Sequence, residues 1–162
     1  MNLIGQIINA MIAYYAGDVR RINHFLKVYS LAKTIGEMEG LDESTQEIIE
    51  IAALTHDIGI KNSEKKYNSS AGNYQQIEGP PEAKKLLAEL GIESGVIDRV
   101  CWLIAHHHTY TDIQGIDYQI LVEADFLVNF YEDDMSIDSV HSAGGKMFKT
   151  LSGKAILNAI YS

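Results

Sequence analysis

Apolar residues recur every three or four positions along most of the chain, which is the spacing of one helix face rather than of a strand. The first such segment covers residues 2–16, and Asp18 can cap a second segment that runs to about Glu37. No two segments show the alternation of apolar and polar residues that marks a pair of strands. The pattern therefore predicts an all-α protein, a single-domain helical bundle.

The third predicted helix begins at Ser44, because Glu47 follows it at the spacing of a capping box. We expect this helix to end near Asp57, with Gly59 as its C′ residue. Residues 60–79 are polar and aperiodic, which predicts a long loop of the kind that is often functional. The remaining predicted helices, the first of which starts at Pro80 or Pro81, cover about 80–90, 94–107, 118–133, 137–150 and 153–161.

The chain has 162 residues, of which 46% are hydrophobic, so it can bury one substantial core. It shows no internal repeat and no linker, and we expect one domain over residues 1–162. Cys101 is the only cysteine, which excludes a disulfide within the chain. No basic segment precedes the apolar first helix and no apolar run is long enough to cross a bilayer, so we expect a cytoplasmic protein without a membrane partner.

The formal net charge of −9 argues against nucleic acid as a partner, because such binding depends on a cationic surface. A small phosphorylated substrate is compatible with this charge if the site has a local positive centre, and a metal ion is the most compact one. The oligomeric state stays open at this point. The apolar first helix can pack on its own domain or on a second copy of the chain, which would give a homo-oligomer.

His56 and Asp57 end the apolar segment IIEIAALTHDIG, where the pattern favours neutral buried groups. Burial of an uncompensated carboxylate costs roughly several kcal/mol even after the protein relaxes. A divalent cation bound by both side chains would neutralise Asp57. A hydrogen bond between the two residues is the alternative.

His24 and Asp125 also interrupt apolar helix faces. His24 shares its face with Val28, and Arg21 points the same way from one turn earlier. A lone inward histidine is more often a hydrogen-bonded core residue, but two cationic groups on one inward face need an anion. Asp125 stands where ILVEADFLVNF calls for an aliphatic side chain, which indicates a ligand or an ion pair.

His106, His107 and His108 form an internal triplet at the end of a predicted buried helix. The spacing does not choose among them, because His107 shares a face with Val100 and His108 shares one with Cys101. At least one of the three is expected to face inward. A solvated run of three is the alternative.

Glu78 directly precedes the predicted helix start at Gly79 and Pro80. It can ligate a metal ion. Equally, its negative charge can stabilise the positive end of the following helix dipole.

The candidate ligands form a mixed nitrogen and oxygen set: His24, His56, Asp57 and Asp125. Such a set suits Fe, Mn, Co, Ni or Zn better than Ca, which prefers oxygen ligands alone. A structural zinc site is not expected because the chain has no cysteine cluster. The sequence also lacks HExxH, a complete Walker A motif, GxGxxG and the Gly-x-Ser-x-Gly elbow.

The order of these residues resembles the H…HD…D signature of the HD-superfamily metal-dependent phosphohydrolases. Three segments resemble the family's motifs: Arg21-Ile22-Asn23-His24 its R-x-x-H, His56-Asp57-Ile58-Gly59 its HDIG, and Leu121-Val122-Glu123-Ala124-Asp125 the start of its final ADxxxN-like helix. The resemblance covers about residues 18–132. It implies a helical bundle of the HD-domain type, with helices 137–161 packing on this core.

The resemblance also implies a role for each candidate residue. His24, His56, Asp57 and Asp125 would bind a first metal ion. Family members with two ions add histidines between HD and the last Asp, and His107 and His106 would fill one such place. The other place often reads His-Gly-Pro, where this chain has Glu78-Gly79-Pro80, so Glu78 would supply a carboxylate instead.

The expected chemistry is hydrolysis of a phosphate ester or phosphoanhydride in a small, nucleotide-like substrate by a metal-activated water. Asp57 would accept the proton of that water, while Arg21 and Lys61 would hold phosphate oxygens. Residue Lys61 follows the HDIG motif one position later than the family's lysine, because Ile60 intervenes. Two alternatives stay open, namely a di-iron HD-type oxygenase and a non-catalytic, metal-stabilised nucleotide sensor.

Overall fold

The computed structural model describes residues 1–162 and contains nine helices and no strand, so the all-α prediction is confirmed. In chain order the helices are α1 (Leu3–Tyr14), α2 (Val19–Glu39), α3 (Glu43–Thr55), α4 (Ile60–Tyr67), α5 (Gly72–Glu89), α6 (Ser94–His106), α7 (Ile116–Glu132), α8 (Ile137–Met147) and α9 (Leu151–Ile160). None of them is both long enough and apolar enough to span a membrane.

Helices α3 and α7 are the most enclosed elements of the bundle. Every residue from Ile49 to Thr55 on α3 is buried, and so is every residue from Asp117 to Asp125 on α7. Helix α2 packs against both, and α6 packs against α3. Burying one large aliphatic side chain contributes roughly 1.5–3 kcal/mol. The polar groups that α2, α3 and α7 carry are therefore held on a rigid frame.

The helix starts depend on carboxylates more often than the sequence patterns predict. Asp18 caps α2 as expected, and its side chain accepts a hydrogen bond from the amide three residues further on. Helix α3 is capped by Asp42 rather than Ser44, and α6 is capped by Glu93. Each carboxylate reaches the free amides of the first turn, where negative charge is also favoured by the helix dipole.

The prediction of a long loop over residues 60–79 is wrong. The chain forms α4 directly after the HDIG segment, and α5 begins at Gly72 after only a short turn. Helix α4 has no visible apolar period because most of it faces solvent, with only Ile60 and Ser63 buried.

Pro80 and Pro81 lie inside α5. The prediction that one of them begins this helix is therefore wrong. Each proline lacks the amide that would bond to the carbonyl four residues earlier, so both weaken the helix locally. Buried residues on both sides of the pair, Gly79 before it and Ala83 and Leu87 after it, nevertheless fix the helix, which packs along α6. Tertiary packing here outweighs the local preference.

Gly59 is not the C′ residue of α3 that the sequence predicted, but the residue that precedes α4. Its φ of −74° and ψ of −14° are right-handed. A Cβ atom at Gly59 would lie 2.6 Å from the amide nitrogen of Gly79 and 2.7 Å from the carbonyl oxygen of Gln75. Glycine is required because the backbone of α5 crosses the HDIG segment at this point.

The two C-terminal helices are attached to α7 through a buried carboxylate. Glu123 is fully buried and accepts hydrogen bonds from the amides of Lys149 (3.0 Å) and Thr150 (3.1 Å). It also accepts from the Thr150 hydroxyl (2.6 Å) and from the Gln119 side-chain amide (2.6 Å). The segment between α8 and α9 is thereby fixed to the helix that carries Asp125.

Candidate metal centre

Side chains from four parts of the bundle meet at one point. His24 comes from the inward face of α2 and Asp125 from the centre of α7, and both are buried. His56 ends α3, Asp57 follows it in the turn, and His107 ends α6. The turn is fixed from outside as well, because the hydroxyl of Tyr15 donates a 2.7 Å hydrogen bond to the Asp57 carbonyl oxygen.

The Nε2 atoms of His24 and His56 lie within contact distance of each other and of both carboxylates. The Nε2 atom of His24 is 3.2 Å from His56 Nε2, 3.1 Å from Asp125 Oδ1 and 3.2 Å from Asp57 Oδ2. The Nε2 atom of His56 lies 3.3 Å from Asp57 Oδ2 and 3.4 Å from Asp125 Oδ1. Two imidazole nitrogens and two carboxylate oxygens thus surround a common point.

The other nitrogen of each ring has its own acceptor. The Nδ1 atom of His56 donates to the Ala53 carbonyl oxygen at 2.7 Å, and that of His107 donates to the Ile104 carbonyl oxygen at 2.8 Å. The Nδ1 atom of His24 lies 2.9 Å from Glu132 Oε2. Because Nδ1 carries the proton in these pairs, the Nε2 lone pair of each ring is free to bind an ion.

The electrostatics of the cluster favour positive charge at its centre. Burial on its own would lower the pKa of His24, but hydrogen bonds to Asp125 and Asp57 raise that pKa to about 10. The same two carboxylates raise the pKa of His56 well above its usual value against the effect of burial. Burial would raise the pKa values of Asp57 and Asp125, but the facing histidines lower both. A divalent ion would supply the same positive charge and displace the imidazole protons.

His107 gives an independent indication that the residues fit a metal ion. Its Nε2 atom is buried and has no hydrogen-bond partner, although a buried polar atom normally has one. The nearest acidic atom is Asp57 Oδ1 at 3.4 Å, which is within ion-pair range but outside hydrogen-bonding geometry. Asp57, His107 and His108 form a second group whose ligand atoms all lie within 4.8 Å of one another.

A polar cavity of about 400 Å³ opens onto the cluster. Its walls contain the cationic groups Arg20 and Arg21 and the amides of Gln75 and Asn129, and Ile60 is the only hydrophobic residue that lines it. The full lining is Arg20, Arg21, His24, Asp57, Ile60, Ser70, Gln75, His108, Asp125, Asn129, Glu132 and Asp133. Such walls suit a charged, hydrogen-bonding ligand rather than an apolar one.

Glu78 does not belong to the cluster, which corrects the prediction that it ligates a metal. Its two carboxylate oxygens pair with Lys66 Nζ at 2.9 and 3.0 Å, and it accepts a hydrogen bond from the Tyr67 hydroxyl at 3.1 Å. The residue of α5 that does line the cavity is Gln75, one turn earlier. Its side-chain oxygen accepts a 2.9 Å hydrogen bond from His108 Nε2.

His106 is also outside the cluster, which corrects its assignment as a ligand. Its Nδ1 atom bonds to the Trp102 carbonyl oxygen at 2.7 Å, and its ring stacks on the Trp102 indole with centroids 4.0 Å apart. Of the triplet, His107 and His108 are the two residues directed toward Asp57. Consecutive residues on a helix diverge by about 100°, so the three rings cannot share one direction.

The two cations proposed to hold phosphate have different positions. Arg21 lines the cavity, where its guanidinium pairs with Asp18 at 2.7 Å and also with Glu64. Lys61 does not line this cavity, and its ammonium donates instead to the Tyr14 carbonyl oxygen at 3.0 Å. The inserted Ile60 occupies the buried position after HDIG and shifts the lysine to the outer face of α4.

Sequence reasoning missed Glu132, Gln75 and Arg20. Glu132 lies seven residues after Asp125 on the same face of α7, so the helical period could have identified it. Gln75 was not recognised because it falls in the segment predicted as a loop. Arg20 directly precedes Arg21 of the R-x-x-H segment but belongs to no sequence pattern. It was identified from the structure, where it lines the cavity.

Fold, polar cluster and motif order together define a helical domain with a candidate metal site. The sequence model of the HD domain matches residues 21–140, and the chain therefore belongs to the HD-domain family. The fold is similar to that of a predicted HD superfamily hydrolase from an uncultured Thermotogales bacterium, known from its crystal structure. The TM-score is 0.69 at 20% identity, and the match covers 97% of this chain and 84% of the other. The search of curated proteins gave no match.

Proposed function

We propose that this protein is a metal-dependent phosphohydrolase that acts on a small phosphorylated, nucleotide-like substrate. The observation that carries the proposal is the convergence of His24, His56, Asp57 and Asp125 beside a polar cavity, where each imidazole Nε2 lies 3.1 to 3.4 Å from an oxygen of each carboxylate. These four residues would hold one divalent transition-metal ion. When bound, that ion would supply Lewis acidity toward phosphate and activate water near neutral pH.

The arginines near the cavity mouth fit the phosphate group. Arg20 forms no ion pair, and its exposed guanidinium is free to bind phosphate oxygens in bidentate fashion. Arg21 is held in place by Asp18 and Glu64 and can add a second contact from its cavity side. Lys61 has no part in this proposal because it lies outside the cavity.

Polar side chains further along the wall fit the rest of the substrate. Asn129 lies on α7 and Asp133 caps its C-terminus, whereas Gln75 lies on α5 and Ser70 in the turn before it. Their amide, carboxylate and hydroxyl groups suit the hydroxyl groups of a sugar phosphate such as that of a nucleotide.

Asp57 is the carboxylate proposed to accept a proton from the attacking water. Its Oδ2 atom faces His24 and His56, whereas Oδ1 is directed toward the buried His107 Nε2 at 3.4 Å. Oδ1 is therefore the atom available for this proton. His107 Nε2, which has no hydrogen-bond partner, is placed to share it.

A second ion would change the class of reaction that the site can support. The group of Asp57, His107 and His108 favours that possibility, and a di-iron oxygenase is the alternative function consistent with it. Oxygen consumption by the iron-loaded protein, measured after anaerobic reduction, would favour the oxygenase. Phosphate release without oxygen consumption would exclude it.

The test is metal analysis followed by a phosphate-release screen with Mn, Co, Ni, Mg and Fe over nucleotides and sugar phosphates. Asp57→Ala is expected to lose bound metal and at least about 100-fold in turnover, because it removes a ligand and the proton acceptor together. Asp98→Ala, at an exposed position on α6, is the control and should match the wild type. Full turnover by Asp57→Ala would show the proposed mechanism to be wrong.

A further inference from the structure

His24 has a second ring nitrogen that faces away from the ligand cluster, toward the end of α7. Its Nδ1 atom lies 2.9 Å from Oε2 of Glu132, whose side chain is only 12% exposed. The other oxygen, Oε1, lies 2.9 Å from the ammonium of Lys27. Glu132 thus connects two residues of α2 that are one turn apart.

This arrangement differs from that of the other two histidines. The Nδ1 atoms of His56 and His107 are held by backbone carbonyls of their own helices, at 2.7 and 2.8 Å. His24 differs from His56 and His107 because its outer nitrogen contacts a side chain from another helix. Its orientation is therefore not fixed by α2 alone.

A carboxylate in this position has a defined chemical effect. By accepting the Nδ1 proton it selects the tautomer in which Nε2 is the free donor, and it restricts rotation of the ring. It also increases the basicity of Nε2 and hence its strength as a ligand. Glu132 cannot serve as a ligand through the same oxygen, because Oε2 already faces the outer nitrogen of the ring.

Lys27 in turn restricts Glu132. Its ammonium holds Oε1, and it lies 5.6 Å from the ring centroid of Tyr131, the residue next to Glu132. With one oxygen bound by Lys27, the carboxylate presents the other to His24. The pair also separates the polar cavity, which Glu132 lines, from an apolar groove lined by Lys27, Leu31 and Tyr131.

We propose that Glu132, held by Lys27, is a positioning residue that fixes the orientation and tautomer of His24 for metal binding. The inference rests on the metal centre of the proposed function. It assigns to α7 two contributions to the centre, Asp125 as a direct ligand and Glu132 through His24.

The first test measures metal affinity rather than activity. Competition with a chelator for Mn²⁺ or Co²⁺ should show that Glu132→Ala weakens binding about 10- to 100-fold, the usual cost of losing such a partner of a metal-binding histidine. Glu132→Gln has the same shape and keeps an acceptor oxygen without the charge, so it should recover part of that loss. Glu89→Ala, an exposed glutamate at the end of α5, is the control and should leave the affinity unchanged.

The visible absorption spectrum of the Co²⁺-loaded protein provides a readout that a general loss of stability would not change. Its band positions report the ligand set and geometry at the ion. Glu132→Ala should shift these bands, whereas Glu89→Ala should reproduce the wild-type spectrum. Affinity and spectrum identical to the wild type in both Glu132 variants would overturn the inference.

A double-mutant cycle tests the part played by Lys27. Lys27→Met keeps the apolar stem and should weaken metal binding by less than about fivefold, as expected for a half-exposed ion pair. In the Glu132→Ala background the same change should have no further effect, because the two residues act in series. Independent, additive losses would contradict this order.

The outcomes also separate this inference from the proposed function. A wild-type protein that binds no metal would overturn both. Metal binding that is insensitive to Glu132 would overturn the inference and leave the proposed function standing. Metal binding that falls in the Glu132 variants of a protein without phosphatase activity would support the inference and contradict the proposed reaction.

Discussion

Two carboxylates two residues apart on α7 are compensated in different ways. Asp125 faces the imidazoles of His24 and His56, so its charge is balanced by groups that can exchange protons for a metal ion. Glu123 faces two backbone amides, the Thr150 hydroxyl and the Gln119 side-chain amide, all of which are neutral donors. Both carboxylates are buried, so burial does not distinguish their roles. The hydrogen-bond partners do: histidines face the candidate ligand Asp125, and neutral donors face the structural residue Glu123.

We expect Glu123→Ala to destabilise the protein by about 2–4 kcal/mol, because it leaves buried donors between α8 and α9 without an acceptor. Urea denaturation followed by circular dichroism would measure the change. Glu89→Ala is the exposed control and should stay within about 0.5 kcal/mol of the wild type. Equal stability of the two variants would show that Glu123 does not fix the C-terminal helices.

At the scale of single residues, a polar group that interrupts an apolar pattern in the sequence is a good indication that its side chain joins the buried polar cluster. His24, His56, Asp57 and Asp125 all break such a pattern, and the structure brings all four together. Glu78 and His106 were assigned from position relative to a motif, and the structure pairs them with Lys66 and Trp102 instead. The contact between Glu78 and Lys66 depends on how α5 and α4 are placed, which no local pattern contains, whereas Trp102 and His106 lie one turn apart on α6.

At the scale of elements, the contact between the HDIG turn and α5 controls how the site is built. Gly59 lets the turn approach the backbone of α5 closely at Gln75 and Gly79, and this approach sets the position of α5. Gln75, one turn before Gly79, is thereby directed toward His108 and the cavity. The glycine of the HDIG motif thus allows the turn after α3 to pack closely against α5.

We expect Gly59→Ala to destabilise the fold by about 1–3 kcal/mol, because the new methyl group would overlap backbone atoms that cannot rotate away. Thermal denaturation would measure the effect. Gly145→Ala on α8 is the matched control, since a Cβ there meets nothing within 4 Å. That variant should be as stable as the wild type or up to about 1 kcal/mol more stable, because alanine is the better helix former.

Helix prediction succeeded where an element is half buried and failed where it is mostly exposed. Helices α2, α3, α6 and α7 carry clear apolar faces, and their predicted bounds lie close to the observed ones. Helix α4 has almost no buried side chains, and the first half of α5 combines polar residues with two prolines. Both depend on packing against other helices, which a single-sequence pattern does not record.

At the scale of the whole molecule, the ligand cluster connects parts of the chain that are distant in sequence. His24 and Asp125 are 101 positions apart, and His56 and Asp57 lie between them. The cluster forms only when α2, α3 and α7 have packed together. An ion that binds this cluster therefore binds the folded protein and not the unfolded chain.

Addition of Mn²⁺ or Co²⁺ at 100 times its dissociation constant is expected to stabilise the fold by about 2.7 kcal/mol. For a domain of this size that corresponds to a rise in Tm of roughly 5–10 °C, which a thermal-shift assay would detect. The chelator EDTA should reverse the rise. Asp57→Ala should show no metal-dependent shift, and an unchanged Tm in the wild type would count against a metal centre.

The hydrogen bond from the Tyr15 hydroxyl to the Asp57 carbonyl oxygen has a practical consequence for where the chain can be shortened. Tyr15 lies before the segment that the family model matches, and so do the fully enclosed side chains of Ile7 and Met11 on α1. At the other end, Thr150 lies beyond that segment, and both its amide and its hydroxyl donate hydrogen bonds to Glu123. A fragment trimmed to residues 21–140 would therefore lose the Tyr15 hydrogen bond to the turn that carries Asp57 and the Thr150 hydrogen bond to Glu123 on α7. The segment that the family model matches is shorter than the part of the chain that holds these two positions in place.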